Sequence, residues 1–175
     1  MAILEIITRD NPRLRLKAKR VPKVDDSVRR LMDDMVETML DAPGVGLAAN
    51  QVDVQLRVIV MKVDNQLYTL ANPEIVRSSG EQIGYEGCLS VPGYLGEVAR
   101  AERVTIKALN RSGREVRIKG EGLLARAIQH EIDHLDGILF VDRLTSLDTL
   151  RPVSTVADEE TEADVPEGET VTLAV

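Results

Sequence analysis

The sequence is poor in aromatic residues and cysteine, and it has no apolar run long enough to cross a membrane. Only 2% of its 175 residues are aromatic, so the core must be aliphatic and base-stacking platforms are not expected. One cysteine, Cys88, excludes an internal disulfide and leaves a buried thiol, a reactive thiol or a metal ligand. The N-terminus also lacks the charge order and cleavage site of a signal peptide. These absences predict a cytoplasmic protein with no membrane contact.

Basic residues are missing from the C-terminal end of the chain. The net charge is -7, and the excess comes largely from seven acidic residues with no basic residue among them: Asp158, Glu159, Glu160, Glu162, Asp164, Glu167 and Glu169. This balance is unlike that of a protein that holds nucleic acid through a broad basic face, so no direct nucleic-acid binding is expected. The length predicts one domain, which we place over residues 1–150. Residues 151–175 are expected to form a disordered or loosely attached acidic tail.

Hydrophobic periodicity predicts two helices separated by strands. An apolar stripe at helical spacing predicts an amphipathic helix from Asp25, ended by Pro43 and Gly44, and a second helix is predicted from Gly122 to Gly137. The region between them reads as strands at 56–63, 66–71, 74–76, 82–85, 96–109 and 115–118. Because the strands follow one another without crossover helices, the pattern predicts an α+β fold. We expect antiparallel sheets packed around the second helix, with the amphipathic helix N-terminal to them.

The second helix carries the segment His130-Glu131-Ile132-Asp133-His134, an HExxH motif. These are the only two histidines of the chain, and on a helix their spacing places both rings on one face, within reach of one ion. A catalytic metal site takes a third protein ligand, for which Cys88 and nearby carboxylates are the candidates. A purely structural histidine pair and a thermolysin-like site remain alternatives at this point. The pattern therefore predicts a metal site, with hydrolysis as its expected chemistry.

Three further groups complete a hydrolytic site. Glu131 can reach a metal-bound water and act as the general base. The small-residue stretch from Gly44 to Gln51 brings backbone close to the site, and the Gln51 side-chain amide is a candidate donor to a developing oxyanion. The backbone N–H of Leu89, next to Cys88, is a second candidate donor.

Three separated segments resemble the motifs of the peptide deformylase family, in the same order: Gly44-Val45-Gly46-Leu47-Ala48-Ala49-Asn50-Gln51, Glu86-Gly87-Cys88-Leu89-Ser90 and Gln129-His130-Glu131-Ile132-Asp133-His134. The resemblance runs from the N-terminal arm to about Leu144. It implies an α+β metallohydrolase that removes the formyl group from the N-terminal formylmethionine of new polypeptides and releases formate. It also implies iron(II) as the metal, with zinc, nickel or cobalt accepted.

The same resemblance implies a role for each matching residue. Cys88, His130 and His134 would bind the metal, and Glu131 would be the acid and base. Gln51 and the Leu89 amide would hold the formyl oxygen. Substrate contacts would come from Val45 and Gly46, with Glu86 behind the metal ligands, bridged to Arg100.

The sequence departs from some family members at two places. Tyr94-Leu95-Gly96 stands where certain members carry a basic residue, and the tail is acidic where certain members have a basic ribosome-docking helix. We therefore expect formylmethionyl peptides as partners, with at most a transient contact at the ribosome. Arg126, one turn before His130, would line the methionine pocket or form a surface salt bridge. The alternatives to a deformylase are a zincin-type endopeptidase and a domain whose metal is only structural.

Overall fold

The computed structural model describes residues 2–153, which contain, besides four short 3-10 helices, two α-helices and eight strands. In chain order they are α1 (Asp26–Asp41), β1 (Gly46–Ala48), β2 (Val58–Val63), β3 (Gln66–Ser79), β4 (Gln82–Cys88), β5 (Val91–Arg100), β6 (Arg103–Leu109), β7 (Glu115–Glu121), α2 (Gly122–Leu135) and β8 (Arg151–Pro152). All strand pairings between these elements are antiparallel. The predicted α+β class with antiparallel sheets is confirmed.

Helix α1 forms where the apolar stripe predicts it. The Asp25 side chain caps the helix by accepting a hydrogen bond from the Val28 N–H, and Ala42 ends it before Pro43. Its buried face includes Met32, Met35 and Met39, all fully shielded from solvent. Burial of each such side chain stabilises the fold by roughly 1.5–3 kcal/mol. The helix covers one side of the larger sheet through these residues.

The larger sheet has five strands in the order β1-β2-β3-β6-β7. Asp64 and Asn65 connect β2 to β3, and both have positive φ, as a two-residue hairpin turn requires. Strand β3 is one long strand that joins the predicted segments 66–71 and 74–76. Register shifts after Ala71 and after Ile75 bend it, so its ladder to β6 is interrupted.

The smaller sheet has three strands in the order β4-β5-β8. The prediction of a single strand over 96–109 is wrong, because the chain leaves this sheet after Arg100 and enters the larger one at Arg103. Ala101 marks the break: its N–H donates to the Gln129 side chain, and its carbonyl accepts from the same side chain. Because the N–H and the carbonyl of Ala101 are both bonded to a side chain of α2, they do not take part in a strand ladder. The break places strands from two sheets on either side of α2.

Helix α2 lies against both sheets and is almost completely buried from Ala125 to Leu135. Gly137 ends the α2 region in the left-handed conformation (φ 75°). The N-terminal arm crosses there, where the Ala18 N–H donates to the Leu135 carbonyl.

Among residues 2–153 no helix is long and apolar enough to span a membrane. Arg151 and Pro152, the first residues of the predicted tail, form β8; residues 154–175 lie outside the described residues, so the rest of that prediction stays a prediction.

Candidate metal centre

The two histidines of α2 and the cysteine of β4 come together at one point. Cys88 Sγ lies 3.3 Å from His134 Nε2, and His134 Nε2 lies 3.2 Å from His130 Nε2. One ligand atom from each residue falls within 4.8 Å of the others, and all three side chains are buried. Zinc–ligand bond lengths in a tetrahedral site give ligand separations of about 3.3 Å for N to N and about 3.6 Å for S to N. The spacing therefore fits one divalent metal.

The two buried imidazoles differ in the direction of their pKa shifts. Burial opposes the charged form of His130, but its hydrogen bonds to Cys88 and Glu86 outweigh that effect and raise its pKa to about 10. Burial, with the nearby His130, lowers the pKa of His134 well below its ordinary value.

Glu86 fixes the orientation of His130. Its Oε2 lies 2.8 Å from His130 Nδ1, which turns Nε2 of the ring toward Cys88 and His134. Two guanidinium groups hold the same carboxylate: Arg100 with two hydrogen bonds of 2.8 and 3.0 Å, and Arg126 with one of 2.9 Å. Burial acts to raise the pKa of Glu86, but the hydrogen bonds from His130 and Arg100 hold it far below its usual range. The carboxylate is ionised and fully buried. This arrangement sets the ring geometry of a metal ligand.

Glu131 points into the same space with no protein partner. Neither of its carboxylate oxygens is hydrogen-bonded within residues 2–153, although the side chain is completely buried. Burial raises its pKa to about 7. A buried carboxyl without a donor is costly unless something outside the protein chain binds it. Water on a metal at the three ligands would supply that partner, so the residue meets the requirement for a general base.

Gln51 lies beside Cys88. Its Nε2 lies 3.6 Å from Cys88 Sγ and 3.1 Å from Ser90 Oγ, and its Oε1 accepts from the Ala48 N–H at 2.9 Å. These contacts lock the side-chain amide with its donor end toward the ligands. Ser90, which is completely buried, belongs to the cysteine motif, but the sequence alone gave it no role. Its position two residues after the cysteine is the signal that places it near the ligands.

The glycine stretch contacts the site through its backbone. Gly46, on β1, lies directly against the Glu131 carboxylate, so close that a Cβ atom there would lie 2.9 Å from Cδ of that residue. Gly44 lies against the side chain of Leu89, the residue after the cysteine. Val45 is half-buried and its carbonyl accepts from the Lys62 N–H. The three segments singled out in the sequence are therefore neighbours in space.

Arg126 and Asp133 have larger roles here than the sequence indicated. Arg126 is 2% exposed and bonds Glu86, so the alternative of a surface salt bridge is wrong. Asp133 accepts from Arg100 at 2.6 Å and from Arg143 at 2.6 and 2.8 Å. The ion pairs run without interruption from Arg143 at the surface to His130.

The comparisons with known proteins decide the family. The profile described as polypeptide deformylase matches residues 3–150. This chain belongs to the polypeptide deformylase family. A peptide deformylase of Thermomicrobium roseum is 52% identical over 172 residues, which cover 93% of this chain and 98% of that relative. One from Symbiobacterium thermophilum is 55% identical over 170 residues, covering 95% of this chain and 77% of the relative.

Solved deformylase structures have the same fold. The crystal structure of a peptide deformylase from Legionella pneumophila superposes with a TM-score of 0.81 at 45% identity, covering 94% of this chain and all of that one. A peptide deformylase from Ehrlichia chaffeensis, crystallised in complex with actinonin, superposes with a TM-score of 0.82 at 39% identity and covers 94% of this chain. Family membership and the spacing of Cys88, His130 and His134 agree that the chain is a metal-binding hydrolase.

Proposed function

We propose that this protein removes the formyl group from the N-terminal formylmethionine of newly synthesised polypeptides and releases formate. The family assignment and the similarity to deformylases over nearly the whole chain support this reaction. The observation that carries the chemistry is Glu131, whose buried carboxylate has no hydrogen-bond partner within residues 2–153 and lies beside three candidate ligands. A metal with a purely structural role, joining a helix to a strand, would not require a buried carboxylate of this kind.

Cys88, His130 and His134 are proposed to hold one divalent metal, and we infer iron(II) as the native ion, with zinc, nickel or cobalt as possible substitutes. The bound metal supplies Lewis acidity and lowers the pKa of water toward about 7. Glu131 accepts the proton of the attacking water and passes it to the amine that leaves. Gln51 Nε2 and the Leu89 N–H donate to the formyl oxygen, where negative charge develops.

The remaining site residues position the substrate and the ligands. Val45 and Gly46 present backbone groups beside Glu131, where they would pair with and flank the substrate chain. Glu86 keeps the His130 ring in place. In this proposal residues 1–150 are the catalytic domain, built around the helix that bears the HExxH motif, and the amphipathic N-terminal helix covers the larger sheet.

Formylmethionyl nascent peptides are the proposed partners, met in the cytoplasm and transiently at the ribosome, without direct binding to nucleic acid or membrane. Tyr94, in β5, stands where certain family members carry a basic residue, and the Arg9 guanidinium lies 5.4 Å from the centre of its ring. This difference bears on the residue that follows the formylmethionine. A zincin-type endopeptidase is the weaker alternative, because such an enzyme binds its substrates in a long cleft and this domain is small.

The test is release of formate from formyl-Met-Ala-Ser by protein reconstituted with ferrous iron under anaerobic conditions. Glu131→Ala should bind metal normally and lose about 10²–10⁴-fold in rate, because a general base has been removed. Cys88→Ala should instead lose metal affinity. Absence of formate release from the metal-loaded wild type would refute the function. Unchanged metal content in Cys88→Ala would refute the ligand assignment. Casein cleavage that depends on Glu131 would favour the endopeptidase.

A further inference from the structure

Arg126 is a buried guanidinium in the first half of α2, one turn before His130. Its Nη1 donates to Glu86 Oε1 at 2.9 Å and to the Val98 carbonyl at 3.1 Å, and its Nε donates to Gln82 Oε1 at 3.3 Å. Only 2% of the residue is exposed. One side chain of the helix therefore bonds two neighbouring strands of the smaller sheet, β4 and β5.

The smaller sheet leaves space for this side chain. A Cβ atom on Gly84 would lie 3.2 Å from Arg126 Nη2, so a larger residue on this part of β4 would press on the guanidinium. A charged group of this size is buried only where it is fully paired, because an unpaired one is costly to desolvate. Arg126 meets that condition through its ion pair with Glu86 and its hydrogen bonds to backbone carbonyls of β4 and β5.

The proposed metal ligands are divided between these same two elements. Cys88 is the last residue of β4, while His130 and His134 project from α2. Among the ion pairs and hydrogen bonds that join the helix to the smaller sheet, one set converges on Glu86, two residues before the cysteine, and another runs from Arg100 to Asp133. The position of the Cys88 thiol relative to the two histidine rings depends on these contacts between the helix and the sheet.

We propose that Arg126 is a positioning residue, which holds β4 against α2 and so sets the distance from Cys88 to the two histidines. It acts through Glu86 and does not touch the ligands. Arg100 bonds the same carboxylate but belongs to β5, in the same sheet as Glu86. Arg126 is the guanidinium that bonds Glu86 directly from the helix. The inference rests on the proposed function, because it concerns a metal at these three residues.

The test uses cobalt(II) on the full chain. We expect Arg126→Met to bind cobalt about 10–100-fold more weakly than the wild type, as is typical when a group that orients metal ligands is lost. We also expect a weakened and shifted thiolate-to-cobalt absorption band, since the Sγ–metal contact is loosened. Arg126→Lys keeps a cation for Glu86 but cannot reach all three partners, so it should give an intermediate affinity. Thermal unfolding shows which variants are folded.

Arg143→Met is the matched control. Arg143 donates to Asp133 at the outer, half-exposed end of the same chain of ion pairs, so its loss should change cobalt affinity less than threefold and leave the band in place. Wild-type affinity and an unshifted band in folded Arg126→Met or Arg126→Lys would overturn the inference, as would an equal effect of Arg143→Met. Failure of the wild type to bind cobalt would instead refute the proposed function.

Discussion

Replacement of Gly46 by alanine should reduce deformylation by displacing Glu131. The added Cβ would lie 2.9 Å from Cδ and 3.0 Å from Cγ of Glu131, and closer still to Oε1. Real Cβ contacts require more room, so one side must move by roughly 1 Å. The backbone of Gly46 is held by its pairing with Met61 on β2, and therefore the carboxylate is the part that yields.

A displacement of this size costs about 10²-fold in rate when it misplaces a reacting group, or about 2.7 kcal/mol of transition-state stabilisation. We expect kcat for formyl-Met-Ala-Ser to fall by that factor with little change in KM, because the proton acceptor moves and the substrate contacts stay. Metal content should remain equal to that of the wild type. Overpacking should also lower the free energy of unfolding by about 1–3 kcal/mol.

Gly44→Ala is the matched control, since its Cβ would come too close only to Cδ1 of the flexible Leu89 side chain, at 2.8 Å, and would make ordinary contacts elsewhere. This variant should keep its kcat within a few-fold. Metal-loaded Gly46→Ala with wild-type kcat would show that the Glu131 position does not limit the reaction. An increase in KM alone would assign Gly46 to substrate binding rather than to the placement of the base.

Two further predictions concern stability. Gly137→Ala should destabilise the protein by about 2–4 kcal/mol in urea unfolding, because its φ of 75° is unfavourable for alanine and its Cβ would lie 2.8 Å from the Arg15 carbonyl carbon. Gly113→Ala, with φ 77° and only Val24 nearby at 3.7 Å, isolates the backbone strain and should cost about 1–2 kcal/mol; equal losses would contradict the close-approach argument. Asp25 should make stability depend on pH: the hydrogen bonds from Ser27 and the Val28 N–H lower its pKa, so its contribution is present above the pKa of the unfolded chain and is lost as pH falls through the lower folded value. The advantage of the wild type over Asp25→Asn should therefore shrink between pH 6 and pH 3, and a difference that grows on acidification would refute this.

Local signals in the sequence were enough for the elements whose boundaries are set locally. Helix α1 begins after Asp25 and the β2–β3 hairpin turns at Asp64 and Asn65, because a capping side chain and a turn residue act on their own neighbours. The break between β5 and β6 could not be read in the same way. It depends on Gln129, a residue far along the chain, whose side chain binds Ala101.

The same distinction applies to the site. The HExxH helix is recognisable because both rings and the glutamate share one short segment, and the placement of Cys88 near them agrees with the motif order. The burial of Arg126 could not be predicted from the sequence. A lone arginine on a helix is usually solvated, and no residue near it in the sequence indicates a carboxylate partner 40 residues away. Burial of a charge is decided by tertiary packing, which a local pattern does not contain.

The division of the ligands between a strand and a helix has a consequence for the unfolded chain. Cys88 and His134 are separated by 46 residues, so a metal bridging them closes a long loop that contains β5, β6 and β7. Loop-closure estimates for covalent cross-links of this length are about 4 kcal/mol, most of it entropy removed from the denatured ensemble. A metal bound to the proposed ligands would then also act as a reversible cross-link, so its removal should lower the free energy of unfolding.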